Sequence, residues 1–196
     1  MVSKWNNTPL NRLIYKKFLP TCLILSTVTT LTGCVTPPGE WNISKESWTN
    51  ELSLLASGHQ QFKCSSDSQG YYWKFIKTEA NLYSTLRVVA SIFIEDIPPV
   101  GKLVAYSGTK QTFTHTDESS VRTTGIIRNT PSFGERNLPN LMLKARSAAR
   151  GERAFDSVHT ILRTNTIGGM PTKPCGASNL GTVHRSEFNA TYTFLK

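Results

Sequence analysis

Hydrophobic and polar residues alternate along much of this chain, and a period of two is typical of β-strands with one buried face. The pattern is clearest near the end, where Phe188, Ala190, Tyr192 and Phe194 alternate with polar residues. The chain is therefore predicted to consist mainly of strands. Alternating or β-branched runs predict them over 59–64, 71–77, 86–94, 102–107, 111–116, 121–128, 139–147, 155–164 and 185–194.

Turn-forming residues separate most of these runs. Segments 67–70, 98–99 and 168–169 hold the Gly, Pro, Asp and Ser residues that favour turns. Many short strands at this spacing predict a mainly β protein, an antiparallel β-sandwich or a barrel-like fold in a single domain. Residues 48–57 fit both a helical stripe and strand alternation, so both alternatives stay open for them.

The first 33 residues follow a different pattern. A basic segment without acidic residues precedes an apolar run over 19–31, and small residues then lead directly to Cys34. This layout predicts a bacterial lipoprotein signal peptide that is cleaved before Cys34, with lipid attached to the Cys34 thiol. The apolar run is shorter than the roughly 20 residues that a membrane-spanning helix needs. Val35 after the cysteine favours the outer membrane, so a bacterial cell-envelope location is expected.

The net charge bears on which partners to expect. The full chain has 22 basic and 13 acidic residues, for a formal net charge of +9. Four basic residues lie in segment 1–33, so the chain after it carries 18 − 13 = +5. A modest positive charge on an exported protein favours solvation, or attraction to anionic lipid and polysaccharide. We expect the membrane, through the lipid anchor, and an envelope polysaccharide or protein as partners, and no nucleic acid.

The cysteines fit export. Cys22 leaves with the signal peptide and Cys34 takes the lipid, which leaves Cys64 and Cys175. An even number of thiols in an oxidising compartment favours a structural disulfide, which would close a loop of about 110 residues. Two separate buried thiols are the alternative.

Catalytic motifs are weak. Ser107 and Lys110 match the Ser-x-x-Lys spacing of penicillin-recognising enzymes, but they lie between predicted strands, where a turn is favoured. Histidines 59, 115, 159 and 184 are dispersed without metal-ligand spacing. We predict no catalytic residue, metal or cofactor from these patterns.

Three polar residues are candidates for a ligand cleft. Glu79 is placed in a loop after an aromatic-rich strand, and Arg163 and Asn165 would share a face if their strand continues. These groups could surround a ligand at one end of the fold. The alternative, which we favour, is that Asn165 satisfies backbone groups of a turn and Glu79 pairs with an arginine to fix a loop.

Five segments together match the pattern of a known family: 58–64, Trp73 with 79–82, 138–145, 163–175 and 192–194. In these segments the chain resembles the uncharacterised DUF3455 family. The resemblance covers about residues 52–196, and it implies a fold rather than an activity. Asn140 stands where the family pattern has a tryptophan, and segment 101–113 lacks the histidine of that pattern.

The sequence thus predicts three parts and an open function. Residues 1–33 form the lipoprotein signal peptide, 34–50 a tether that contains Pro and Gly, and 51–196 a DUF3455-like β domain. We expect a lipid-anchored cell-envelope protein that binds a ligand or envelope component, or that has a structural role. The alternatives are an envelope hydrolase whose site forms only in three dimensions, and a surface adhesin. The sequence favours a protein without enzymatic activity but leaves an enzyme open as an alternative.

Overall fold

A computed structural model describes residues 51–85 and 97–196. The signal peptide, the tether, Cys34 and the predicted strand 86–94 lie outside these residues. Within the two described ranges, no helix has both the length and the apolar character required to cross a membrane.

Eight antiparallel strands form a closed barrel. Each strand pairs with the next one along the chain, and β8 returns to pair with β1, so each of these eight strands has a neighbour on both sides. The mainly β prediction is confirmed, and the barrel is the alternative that the chain adopts. The strands are β1 (Glu51–Asp67), β2 (Gly70–Ser84), β3 (Gly101–Ser107), β4 (Lys110–His115), β5 (Ser120–Thr130), β6 (Asn140–Ser147), β7 (Thr160–Gly168) and β8 (Val183–Leu195).

The structure decides two predictions about where strands begin. The ambiguous segment 48–57 enters strand β1 at Glu51, so the strand alternative is correct from that residue onward. The predicted strand 155–164 was wrong in its first half, because β7 begins only at Thr160. Phe155 and Val158 precede it in a connection and are buried in the core. These two residues are apolar because they fill the barrel interior from a connection, and not because they belong to a strand.

The barrel has two distinct ends. We call the entry end the one where β1 begins and β8 finishes, which also carries the β4–β5 turn and the β6–β7 connection, residues 148–159. The far end carries four connections: β1–β2, β3–β4, β5–β6 and β7–β8. In the β3–β4 hairpin, the Ser107 hydroxyl accepts a hydrogen bond from the Lys110 N–H at 3.1 Å. The turn interpretation of Ser107 and Lys110 is therefore confirmed.

Aromatic rings fill the interior toward the entry end. The Phe113 ring meets Tyr192 and Phe194 edge-on, with centroids 5.1 and 5.2 Å apart. Phe155, from the β6–β7 connection, lies 4.5 Å from the Phe194 ring. We call these four residues the aromatic layer. Edge-to-face pairs of this kind add to the free energy that burial of the rings supplies.

Candidate functional site

A row of polar side chains faces the barrel interior on neighbouring strands. Gln60 on β1 lies directly opposite Ser186 on β8 and Thr78 on β2. Ala105 connects Thr78 to Gln111 on β4 in the same register. Directly opposed residues share one face of a sheet, and none of the four polar residues is more than 7% exposed. We call Ser186, Gln60, Thr78 and Gln111 the inner row.

The β3–β4 hairpin holds one end of the inner row. The Gln111 amide nitrogen Nε2 donates to the Gly108 carbonyl at 3.3 Å, and its backbone N–H donates to the Thr123 hydroxyl at 2.8 Å. Thr123 in turn donates to the Thr109 carbonyl at 2.6 Å. These bonds fix the position of the Gln111 side chain.

Two atoms of the inner row nevertheless have no partner. Within the described part of the chain, Gln111 Oε1 and Ser186 Oγ are buried without a hydrogen bond. Leaving a buried polar group unpaired costs about 1–3 kcal/mol. The inner row therefore presents one free acceptor and one free hydroxyl to the interior.

A disulfide-bound segment covers the row at the far end. Cys64 follows Gln60 by four residues on β1, so it points to the same face, and it is bonded to Cys175 with the Cα atoms 5.4 Å apart. Trp73, opposite Cys64, donates to the Lys173 carbonyl at 2.8 Å. The β7–β8 connection, residues 169–182, thus lies against the inner face of the β1–β2 hairpin. The predicted disulfide is confirmed, and it fastens this cover.

The inner row is therefore enclosed between two apolar layers. On β4, Phe113 follows Gln111 by two residues, and it belongs to the aromatic layer. On β1, Phe62 follows Gln60 by two residues toward the far end, and its ring meets Phe75 edge-on at 5.8 Å. A polar layer set between two apolar ones can orient a small molecule through hydrogen bonds while excluding water.

Arg163, which was predicted to line a ligand cleft with Glu79 and Asn165, lies in the barrel interior. It is 4% exposed and lies opposite Tyr192. Its Nε and Nη2 donate to the Pro139 carbonyl at 3.2 and 2.9 Å. Burial raises the pKa of the Tyr192 hydroxyl, and the nearby Arg163 charge opposes that rise. Arg163 thereby ties β7 to the end of the β5–β6 connection.

Glu79 does not lie in a loop, which corrects the sequence prediction. It belongs to β2, because the aromatic run before it and the segment 78–84 form one continuous strand. Its side chain points outward, since its neighbours Thr78 and Ala80 are buried. Its carboxylate contacts Lys77 Nζ at 2.9 Å and His59 Nε2 at 3.3 Å, rather than an arginine. The hydrogen bond from Lys77, aided by His59, holds the pKa of Glu79 below its ordinary value.

Asn165 also departs from the prediction. The strand does not continue regularly past Arg163, because the β7–β8 register shifts between Thr164 and Ile167. Asn165 lies in this bulge with φ 50°, a left-handed conformation that asparagine tolerates better than most residues. It is exposed, whereas Arg163 is buried, so the two do not share a face. The structure does not bring Glu79, Arg163 and Asn165 together into a cleft.

A second polar cluster lies at the entry end. Asp117 Oδ1 accepts from the Ser119 hydroxyl at 2.6 Å and lies 3.1 Å from His115 Nδ1. Asp117 Oδ2 accepts from the Ala154 N–H, and the Ser119 oxygen accepts from the Phe155 N–H. The cluster fastens the β6–β7 connection to the β4–β5 turn. Since Ser119 donates its proton to the carboxylate, it lacks the bond to a histidine that activates a serine nucleophile.

This cluster predicts a pH-dependent stability. Burial favours protonation of Asp117, but hydrogen bonds from Ser119 and Ala154 outweigh it and hold the pKa of Asp117 well below its ordinary value. A carboxylate with a depressed pKa stabilises the folded state above its unfolded pKa, near 4, and loses that effect as the pH falls. Asp117→Asn should lower the unfolding free energy at pH 7 by about 2–3 kcal/mol.

Urea denaturation at a series of pH values measures this effect. The difference between wild type and Asp117→Asn should shrink as the pH falls below about 4. Glu118→Gln is the matched control, because Glu118 is the exposed acidic neighbour in the same turn. A difference that stays constant down to low pH would contradict the role of the Asp117 charge.

The sequence analysis missed the inner row. A signal was present, because Gln60 and Ser186 each stand at an inward position of an alternating run where an apolar residue is expected. Their meeting depends on which strands are neighbours, and alternation alone does not reveal that. Among the described residues, no group of three or more His, Cys, Asp or Glu side chains is placed to hold a metal ion.

Comparison with known proteins identifies a relationship over most of the chain. A family model described as a protein of unknown function (DUF3455) matches residues 44–196. No curated protein and no solved structure matches the chain.

Proposed function

Since the chain belongs to the DUF3455 family of proteins of unknown function, we propose a function from the barrel itself: a lipid-anchored cell-envelope protein that binds a small neutral ligand inside its barrel. The basic segment, the apolar run and the small residues that lead to Cys34 support the anchor, and Val35 after Cys34 supports an outer-membrane location. The barrel supports the binding role, and this role does not require the anchor.

The unpaired atoms of the inner row carry the proposal. Nearly all buried polar groups in proteins have a hydrogen-bond partner, so Gln111 Oε1 and Ser186 Oγ call for a donor that the described residues do not supply. A molecule with hydroxyl or amide groups would supply it. Eight-stranded barrels have an interior just wide enough for side chains or for one small ligand.

The chemistry of the row favours binding over hydrolysis. Its four side chains are two amides and two hydroxyls, so none of them titrates near neutral pH. A neutral row lined in this way selects a neutral polar molecule, because an ion would be desolvated without a compensating charge. A general acid or base would have to come from outside the row.

Two substitutions test the proposal together. Ser186→Ala removes an unpaired hydroxyl, so it should raise the unfolding free energy of the ligand-free protein by about 1–2 kcal/mol. Gln111→Met removes the unpaired Oε1 together with the Nε2 bond to Gly108, so its gain should be smaller. The same changes should abolish binding. Glycerol, glucose and N-acetylglucosamine serve as probes in calorimetric titrations of the wild type and the double variant.

The control is Ser57→Ala, because Ser57 lies on the outer face of the same strand as Gln60. It should change neither stability nor binding. Saturable binding of a probe by the wild type and its loss in the double variant would support the proposal. It would be refuted if no probe binds, or if the double variant is no more stable than the wild type. Intact mass spectrometry of the chain from the membrane fraction tests the acylated Cys34 separately.

A further inference from the structure

Exposed apolar side chains concentrate at the far end of the barrel. Of the eight large hydrophobic residues exposed in the described ranges, six lie on or beside the far-end connections, and Phe133 is 99% exposed. Isolated exposed apolar residues are ordinary, so it is their concentration at one end of the molecule that calls for an explanation. We call the six the apolar rim: Tyr71, Tyr106, Phe133, Ile167, Leu180 and Val183.

The rim surrounds the far end instead of lying on one side of it. Tyr71 is the second residue of β2, after the first connection, and Tyr106 is the last residue but one of β3. Phe133 lies in the β5–β6 connection, and Leu180 lies in the β7–β8 connection. Each far-end connection therefore has an exposed apolar side chain in it or beside it.

The same end carries a positive charge. Segments 62–75, 106–112, 126–142 and 165–187 hold 7 basic and 3 acidic residues, so their net charge is 7 − 3 = +4. Lys63, Lys74, Lys110 and Lys173 are all exposed. Lysine side chains can lay their carbon chains along an apolar surface while the ammonium groups reach the polar layer above it.

We propose that the far end docks on an anionic lipid surface. The apolar rim would enter the boundary between headgroups and acyl chains, and the lysines would contact the anionic headgroups. Charge complementarity selects this occupant, since lysine is depleted in interfaces between proteins. The inference concerns orientation on a membrane, so it needs neither the lipid anchor nor the interior ligand.

Tryptophan fluorescence with brominated lipids tests the docked orientation. The full chain carries Phe133→Trp at the far end or, as the matched control, Glu152→Trp in the exposed β6–β7 connection at the entry end. Each protein is added to phosphatidylglycerol-containing vesicles whose acyl chains are brominated, and wild-type emission is subtracted. Quenching at position 133 should exceed quenching at position 152 by roughly fivefold, because only groups that reach the acyl chains are quenched.

Lysine substitutions test the charge part of the inference. Lys63→Gln, Lys110→Gln and Lys173→Gln together should reduce quenching of Phe133→Trp, and phosphatidylcholine vesicles should reduce it as well. Equal quenching at the two positions, or no quenching at position 133, would overturn the proposal. An unlipidated chain should give the same preference for position 133, so failure of the anchor and failure of docking are distinguishable.

Discussion

Replacing both Cys64 and Cys175 by alanine should lower the free energy of unfolding by about 4–5 kcal/mol. The disulfide joins residues separated by 111 positions, so it removes many conformations from the unfolded chain. The folded barrel retains other contacts at this place, since the Gly181 N–H still donates to the Cys64 carbonyl at 2.9 Å. We therefore expect a destabilised barrel with unchanged strand pairing.

Urea denaturation of the full chain, followed by circular dichroism, measures this loss. Each single variant, Cys64→Ala or Cys175→Ala, should lose nearly as much as the double variant, because one substitution already opens the loop. Ser65→Ala is the control beside Cys64 and should change stability by less than about 0.5 kcal/mol. A loss below about 1 kcal/mol in the double variant would show that the disulfide adds little to the barrel.

Phe113→Ala should be nearly as damaging, with a loss of about 3–5 kcal/mol. The Phe113 side chain is fully buried, and its ring contacts two other members of the aromatic layer. Truncation removes the buried ring and leaves a cavity beside the inner row. Because Phe113 lies next to Gln111 on the inner face of β4, the variant should bind any interior ligand more weakly.

Phe133→Ala provides a control with identical chemistry. Phe133 is 99% exposed, so its truncation should change stability by no more than about 0.5 kcal/mol. Thermal denaturation of the two variants compares a phenylalanine in the core with one on the apolar rim. Similar losses in both variants would mean that the aromatic layer is not the core of this protein.

Alternation along the chain was enough to predict the strands, but not how they close. The period of two in β8 shows which side chains are buried, and the structure confirms it. Sandwich and barrel remained alternatives, because the choice depends on whether Glu51 at the start of β1 pairs with Leu195 at the end of β8. Alternation carries no information about a partner so distant in the sequence.

The candidate site was harder to predict because its groups come from different strands. Asn165 and Arg163 were expected to share a face, and a single bulge separated them. A bulge shifts the alternation by one residue, but residues 163–166 are all polar, so no apolar side chain reveals the shift. The inner row needs five neighbouring strands in register, from β8 through β1, β2 and β3 to β4, and each of its residues taken alone is an ordinary amide or hydroxyl.

The pairing of the first strand with the last also constrains how the protein is made. Until residues 183–195 have been synthesised, β1 and β7 lack the partner that lies between them in the finished wall. A nascent chain therefore exposes two strand borders that can recruit other polypeptides. Contacts between such distant residues also slow folding, to the order of milliseconds to seconds. Closure of the barrel therefore depends on its last strand, and a chain in which β8 has not yet paired is open to association with other chains.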